Sequence, residues 1–139
     1  MIGKCIHDLQ VGEYAEKTDL VLLDNAQRYA AITGDNNPIH FDTEEARCSR
    51  YQQPIAHGMI LGGFISGVIG SQLPGFGCIY QKQEMTFLRP VYYGDTIRTR
   101  VTVTECNVER NRAVLLTECF NQDGKQVMTG TAVVLPRKE

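Results

Sequence analysis

The sequence carries no surplus of either charge: 14 Lys and Arg stand against 16 Asp and Glu in 139 residues, a net charge of −2, with the basic residues scattered. That removes the electrostatic stripe on which nucleic-acid binding depends, so no nucleic-acid partner is expected. There is no C-x-x-C pair. The five cysteines, Cys5, Cys48, Cys78, Cys106 and Cys119, are odd in number, widely spaced, and not at metal-ligand spacing with His7, His40 or His57. Free thiols in a reducing cytoplasm are the simplest reading, and no metal is expected. The first residues, MIGKCIHDLQ, place a lysine and a histidine where a secretory leader needs an apolar run. Internal repeats and low-complexity segments are missing. So is an uninterrupted membrane span: the most apolar stretch, residues 55–75, is broken by His57, Ser66, Ser71 and Gln72 and has no flanking Lys/Arg cluster. Its glycines, Gly58, Gly62, Gly63, Gly67 and Gly70, weaken an isolated helix, and a helix buried on most sides of a globular domain fits better.

What is present suits one domain over residues 1–139. The apolar fraction is 42%, and a chain of this size buries roughly 68–70% of its unfolded surface, enough for a core without staples. A strand is expected over about residues 13–21. A short helix follows over "DNAQRYAAIT", with Ala26, Tyr29 and Ala30 at i, i+3, i+4 and Gly34 at the left-handed C-terminal position. Asp42, with Glu45 three residues on, predicts the start of another short helix. Pro54 forces a break before the long glycine-rich helix, residues 57–72, which Pro74 and Gly75 end. Within it Gly58 and Gly62, and Gly63 and Gly67, share faces that could approach a curved sheet or a partner helix. Everything after reads as four sequential antiparallel strands. In the second, Ile97, Thr99, Val101 and Val103 alternate onto one face, and the D-G turn in "QDGK" makes a hairpin of the last two. "PRKE" looks like a frayed tail. A helix against one face of an antiparallel sheet is an α+β layer design.

The chemistry concentrates in "AAITGDNNPIHFD", residues 30–42. Pro38 fixes a bend and pushes Asn37 to an extended backbone, so Asp35 and His40 could converge although five residues apart. A carboxylate and an imidazole sharing a water can move a proton, each within its ordinary pKa range. A polar turn with Asx hydrogen bonds and an exposed histidine accounts for these residues equally well. Gly58 opens the long helix, where N–H groups lack intrahelical partners and the dipole favours a developing oxyanion; glycine for helix entry is the plainer account.

Three strings, "ITGDNNPIHFD", "PIAHGMILGGFISG" and "FLRPVYYGDTI", resemble the MaoC-like (R)-specific enoyl-CoA hydratases over about residues 10–135. The resemblance implies the hotdog fold, an antiparallel sheet wrapped around a central helix, and reversible hydration of trans-2-enoyl-CoA to (R)-3-hydroxyacyl-CoA. It implies Asp35 and His40 as the catalytic pair and the Gly58 amide as oxyanion donor. Asn37 supports the turn, and Ser66, in its F-x-S-G context, either helps hold the site or is a buried hydroxyl bonded one turn back. His57 reads as a helix-entry residue that orients the loop, and Arg89 as a solvated strand-end arginine within reach of a CoA phosphate. Tyr29, Leu61, Phe64 and Ile65 are candidates for the pocket floor. No cofactor is implied beyond the CoA of the substrate, and a homodimer is expected, because a lone hotdog exposes a sheet edge and a helix face. Three alternatives stay open: a 3-hydroxyacyl-ACP dehydratase, a hotdog acyl-CoA thioesterase, and a non-enzymatic acyl-CoA-binding module. The G-D-x-N-P-x-H loop is not a thioesterase arrangement, and a sensor lacks room for an output element.

Overall fold

A computed structural model describes residues 2–139. Strand β1 (Tyr14–Leu20) leads into helix α1 (Leu23–Thr33), a 3-10 turn (Pro38–His40), and helices α2 (Glu44–Cys48) and α3 (Met59–Ser71). Strands β2 (Ile79–Phe87), β3 (Thr96–Asn107), β4 (Arg112–Phe120) and β5 (Gln126–Leu135) complete one antiparallel sheet in the order β1-β3-β4-β5-β2. Only β3, β4 and β5 form a meander. β2 crosses to the far edge and pairs with β5, so the four later strands are consecutive in sequence but not in space.

The alternation in β3 is the firmest local signal. Ile97, Thr99 and Val101 are fully buried and Val103 is 1% exposed, while Arg98 and Arg100 point out and lie over the rings of Phe120 and Tyr14. Against this inner face α3 buries Leu61, Ile65, Val68 and Ile69, joined by Leu115, Val127 and Val134 in one core. Burial of a full side chain of this kind contributes about 1.5–3 kcal/mol, so α3 is held by packing despite its glycines. The two glycine pairs differ. A Cβ at Gly58 would come within 3.1 Å of the Phe87 ring and one at Gly62 within 3.3 Å of Met85, so this pair lets α3 close on β2. At Gly63 and Gly67 a Cβ would meet nothing within 4 Å.

Gly34 closes α1 at φ +77°, its N–H donating to the Ala30 carbonyl at 2.8 Å. The expected start of α2 at Asp42 is corrected to Thr43. The Thr43 hydroxyl accepts the Ala46 N–H at 3.2 Å, which is what an N-cap does, whereas Asp42 pairs with Arg47 one turn on. The tail is not frayed either: Arg137 bridges Cys5 and donates to the Gly3 carbonyl, and Asn111 holds the Pro136 carbonyl. α3 spans 13 residues, and among the described residues no helix is long and apolar enough to cross a membrane.

Candidate active site

Three segments meet at one end of α3. The first is the loop after α1. Thr33 folds its hydroxyl back to the Tyr29 carbonyl at 2.7 Å and accepts the Asp35 N–H at 3.2 Å. Asp35 Oδ1 accepts the Asn37 N–H, and Asn37 Oδ1 accepts the Ile39 N–H, both at 3.2 Å. The Asx turn expected of a plain polar loop is therefore present. It uses one carboxylate oxygen of Asp35, and Oδ2 remains available on a side chain that is 46% exposed. Asn37 supports the site by capping the 3-10 turn at Pro38–His40.

The second segment is the extended strap before α3. Ile55 bonds to the Ile39 carbonyl through its N–H at 3.2 Å, and the Ala56 N–H reaches the Val91 carbonyl at 2.8 Å. The Ile55 carbonyl lies 2.9 Å from His40 Nδ1. A carbonyl only accepts, so Nδ1 carries the proton and Nε2 presents a lone pair. The third segment precedes β3. Tyr93 donates its hydroxyl to the His40 carbonyl at 2.6 Å, with a longer contact of 3.3 Å to the Ile55 carbonyl. Burial pushes the Tyr93 phenol up to about 12, so it stays a donor across the working pH range. His40 is thus tethered at its ring and at its backbone.

The ring of His57 packs on that of His40, centroids 3.9 Å apart at 32°, and also meets Tyr29 at 4.6 Å. His57 Nε2 lies 3.1 Å from the Asp35 carbonyl and 4.0 Å from Asp35 Oδ2. Asp35, His40 and His57 bring one ligand-type atom each within 4.8 Å of one another. His57 Nε2 faces a carbonyl and therefore holds a proton rather than a lone pair. Burial lowers the His40 pKa below 6.5 and the neighbouring His57 adds to that, while the Ile55 carbonyl and Asp35 pull it back up. The outcome is an imidazole that stays neutral, and basic, below the ordinary histidine range.

Gly58 follows His57 directly and caps α3. Among the described residues its N–H has no acceptor, as expected of the first turn of a helix. The glycine has its own packing reason, the Phe87 ring over it. Ser66 is on the same stripe, two turns along, about 12 Å from Gly58 at 1.5 Å per residue. It is exposed, so it is not a buried hydroxyl bonded one turn back. Of the four pocket-floor candidates, Leu61 and Ile65, 1% and 0% exposed, belong to the core. Tyr29 and Phe64 line a shallow apolar groove with Ile32 and Ile60. Arg89 is exposed and donates to the Gln126 carbonyl at 2.8 Å. Tyr93 escaped the sequence reading; its only sequence signal is a place in "PVYYGD".

Comparison with known proteins agrees with this geometry. The MaoC-like domain profile matches residues 10–119. The (R)-specific enoyl-CoA hydratase of Aeromonas caviae is 38% identical over 126 residues, covering 91% of this chain and 94% of that protein. A mitochondrial 3-hydroxyacyl-[acyl-carrier-protein] dehydratase of Arabidopsis thaliana is 30% identical over 130 residues, 91% of this chain and 77% of that protein. The unliganded R-hydratase structure from Pseudomonas aeruginosa superposes with a TM-score of 0.92 at 39% identity, covering 99% of this chain and 88% of that one. With the sheet wrapped on α3, the chain is a hotdog domain and belongs to the MaoC-like family.

Proposed function

We propose that the protein is an (R)-specific enoyl-CoA hydratase, adding water reversibly to trans-2-enoyl-CoA to give (R)-3-hydroxyacyl-CoA. The observation that carries this is the bare Nε2 of His40, fixed by its Nδ1–H bond to Ile55, in one cluster with Asp35 and beside the start of α3. In this reading Asp35 Oδ2 accepts one hydrogen of a bound water and orients it. His40 Nε2 takes the other as the water oxygen bonds to Cβ, and the C=C electron pair moves toward the thioester oxygen. The Gly58 N–H, at the positive end of α3, meets that oxygen. The His40 imidazolium, held beside Asp35, then returns the proton to Cα as the carbonyl re-forms. Protons and charge balance, and no metal or cofactor is required beyond the CoA of the substrate.

A groove of about 310 Å3 lined by Arg50, Tyr51, Phe87, Leu88, Arg89 and Pro90 supports CoA as the carrier. It begins at the Phe87 ring over Gly58 and offers two guanidinium groups to phosphate. The plant relative keeps acyl carrier protein as a second carrier, and comparing the same acyl group on both decides between them. A homodimer is the expected assembly: β2 is an edge strand, and Met59, Ile79, Phe87 and Leu88 around it are 45–61% exposed. All five cysteines are unpaired, which suits a reducing cytoplasm.

The test follows the loss of C=C absorbance of crotonyl-CoA. Asp35→Asn and His40→Gln should each remove about 10²–10⁴ of the rate, as expected for general acid–base groups, with the fold intact. Wild-type rates in either variant would sink this mechanism. Release of free thiol would point to thioester hydrolysis instead.

A further inference from the structure

His57 is only 2% exposed, yet it satisfies only one of its ring nitrogens. Nε2–H donates to the Asp35 carbonyl at 3.1 Å, and among the described residues Nδ1 has no partner. An unpaired polar atom in a closed site costs free energy that an apolar residue of the same shape would not. That cost falls where the two groups assigned to proton transfer meet. The His57 edge grips the backbone of Asp35 and its face lies on His40 at 3.9 Å, while Tyr29 at 4.6 Å and Phe41 at 6.1 Å close in on the ring. Asp35 is otherwise held only from within its own loop, by Thr33 and through Asn37. His57 is therefore the only side chain outside that loop that bonds to Asp35 among the described residues.

We propose that His57 is a positioning residue for the hydration chemistry above, clamping the Asp35 backbone against the His40 ring and so setting the distance between Asp35 Oδ2 and His40 Nε2. The proposal rests on the hydratase reading. His57 itself exchanges no proton with the substrate, because its Nε2–H is committed to a carbonyl and its Nδ1 is closed off from solvent. A misplacement of 1 Å in such a pair costs up to about 10²-fold in rate, so the clamp has a kinetic signature distinct from stability.

The ionisable groups around the His40 ring are Asp35 and His57, with Tyr29 from α1 against His57 and Tyr93 from the segment before β3 on the His40 carbonyl. Of these, His57 is the one that lowers the His40 pKa.

The experiment compares His57→Gln with His57→Asn in full-length protein. A glutamine amide nitrogen reaches the place of Nε2, and an asparagine nitrogen stops near that of Nδ1. Glutamine should keep kcat within about threefold of wild type, while asparagine loses about 30–100-fold, with KM for crotonyl-CoA unchanged in both. Equal kcat in the two variants overturns the proposal. Side-chain 15N NMR of the wild-type protein, which needs no variant, should show His57 as the Nε2–H tautomer; the Nδ1–H tautomer overturns it too. Failure of the hydratase reading is distinct: the wild-type protein would not hydrate crotonyl-CoA, or Asp35→Asn would leave the rate intact.

Discussion

Replacing Tyr93 with phenylalanine removes one hydroxyl and leaves the ring volume, so packing is preserved. The lost bond is the 2.6 Å donation to the His40 carbonyl; the 3.3 Å contact to the Ile55 carbonyl is weaker, and that oxygen keeps its bond to His40 Nδ1. A deleted hydrogen bond costs about 0.5–1.5 kcal/mol, more when its acceptor is left dry. His40 is only partly buried, so water recovers some of the loss, and about 1 kcal/mol is expected. For a chain of 139 residues that corresponds to a fall in Tm of about 3–5 °C. The kinetic effect is separable. Freed at its carbonyl but still held at Nδ1, the imidazole shifts by a fraction of an ångström, and kcat for crotonyl-CoA should fall about tenfold at unchanged KM. The acid limb should stay where it is, because a phenol pushed up to about 12 carries no charge over that range. Thermal melts and initial rates at saturating substrate decide the matter. A Tyr93→Phe variant with wild-type kcat would refute the tether, whatever its Tm, and an unchanged Tm would refute the hydrogen bond itself.

His40 supplies a pH prediction. Its folded pKa lies below 6.5, chiefly through burial. The acid limb of kcat/KM should therefore have its midpoint below pH 6.5, and a midpoint above it would sink the assignment of His40 as base. The same sign applies to stability. The unfolded chain binds the proton more readily, so the contribution is full above the unfolded pKa and is lost as pH falls through the folded one; denaturant midpoints of wild type and His40→Gln should converge as acid is added. Gly130 gives the sharpest structural test. A Cβ there would come within 3.0 Å of the Glu84 backbone, which cannot step aside without breaking the β2–β5 ladder. Gly130→Ala should lose about 3 kcal/mol or more, read as a drop in urea midpoint, and a change under 1 kcal/mol would contradict that close approach.

The parts of this molecule that were legible in its sequence are those whose cause is local. The alternation of Ile97, Thr99, Val101 and Val103 follows from the two-residue period of a strand, and all four face inward. Gly34 takes the left-handed conformation that closes α1. Asp35 and His40 share a stiff turn, which brings them near each other, while Tyr93 and His57 from elsewhere in the chain set their final placement. What stayed hidden was set at long range. Tyr93 reaches His40 across 53 positions and Arg137 reaches Gly3 across 134; no period or turn signal encodes either. The place of β2 at the far edge depends on its pairing with β5, and nothing in residues 78–89 alone distinguishes that from a meander. The start of α2 was misplaced for a different reason: Asp42 and Thr43 are both good caps, and the choice between them is made by Thr43 Oγ1, which also bonds to the Pro38 carbonyl at 2.7 Å.

The division between the two groups of the pair follows from how deeply each is set. Asp35 is 46% exposed at its side chain, so its carboxylate stays in contact with water. His40 is set deeper, so burial keeps its imidazole neutral. A site with both groups at the surface would hold a charged carboxylate and an imidazole that acid soon protonates; one with both buried would push a proton onto the carboxylate. The gradient between them is built by neighbours rather than by the pair: the Ile55 strap on one side of His40, the Tyr93 hydroxyl behind it, and the closed ring of His57 beneath both. Hydration and its reverse pass through the same transition state, so in the proposed mechanism His40 as base and Asp35 as water-orienting group serve both directions. The equilibrium position is then left to the thioester.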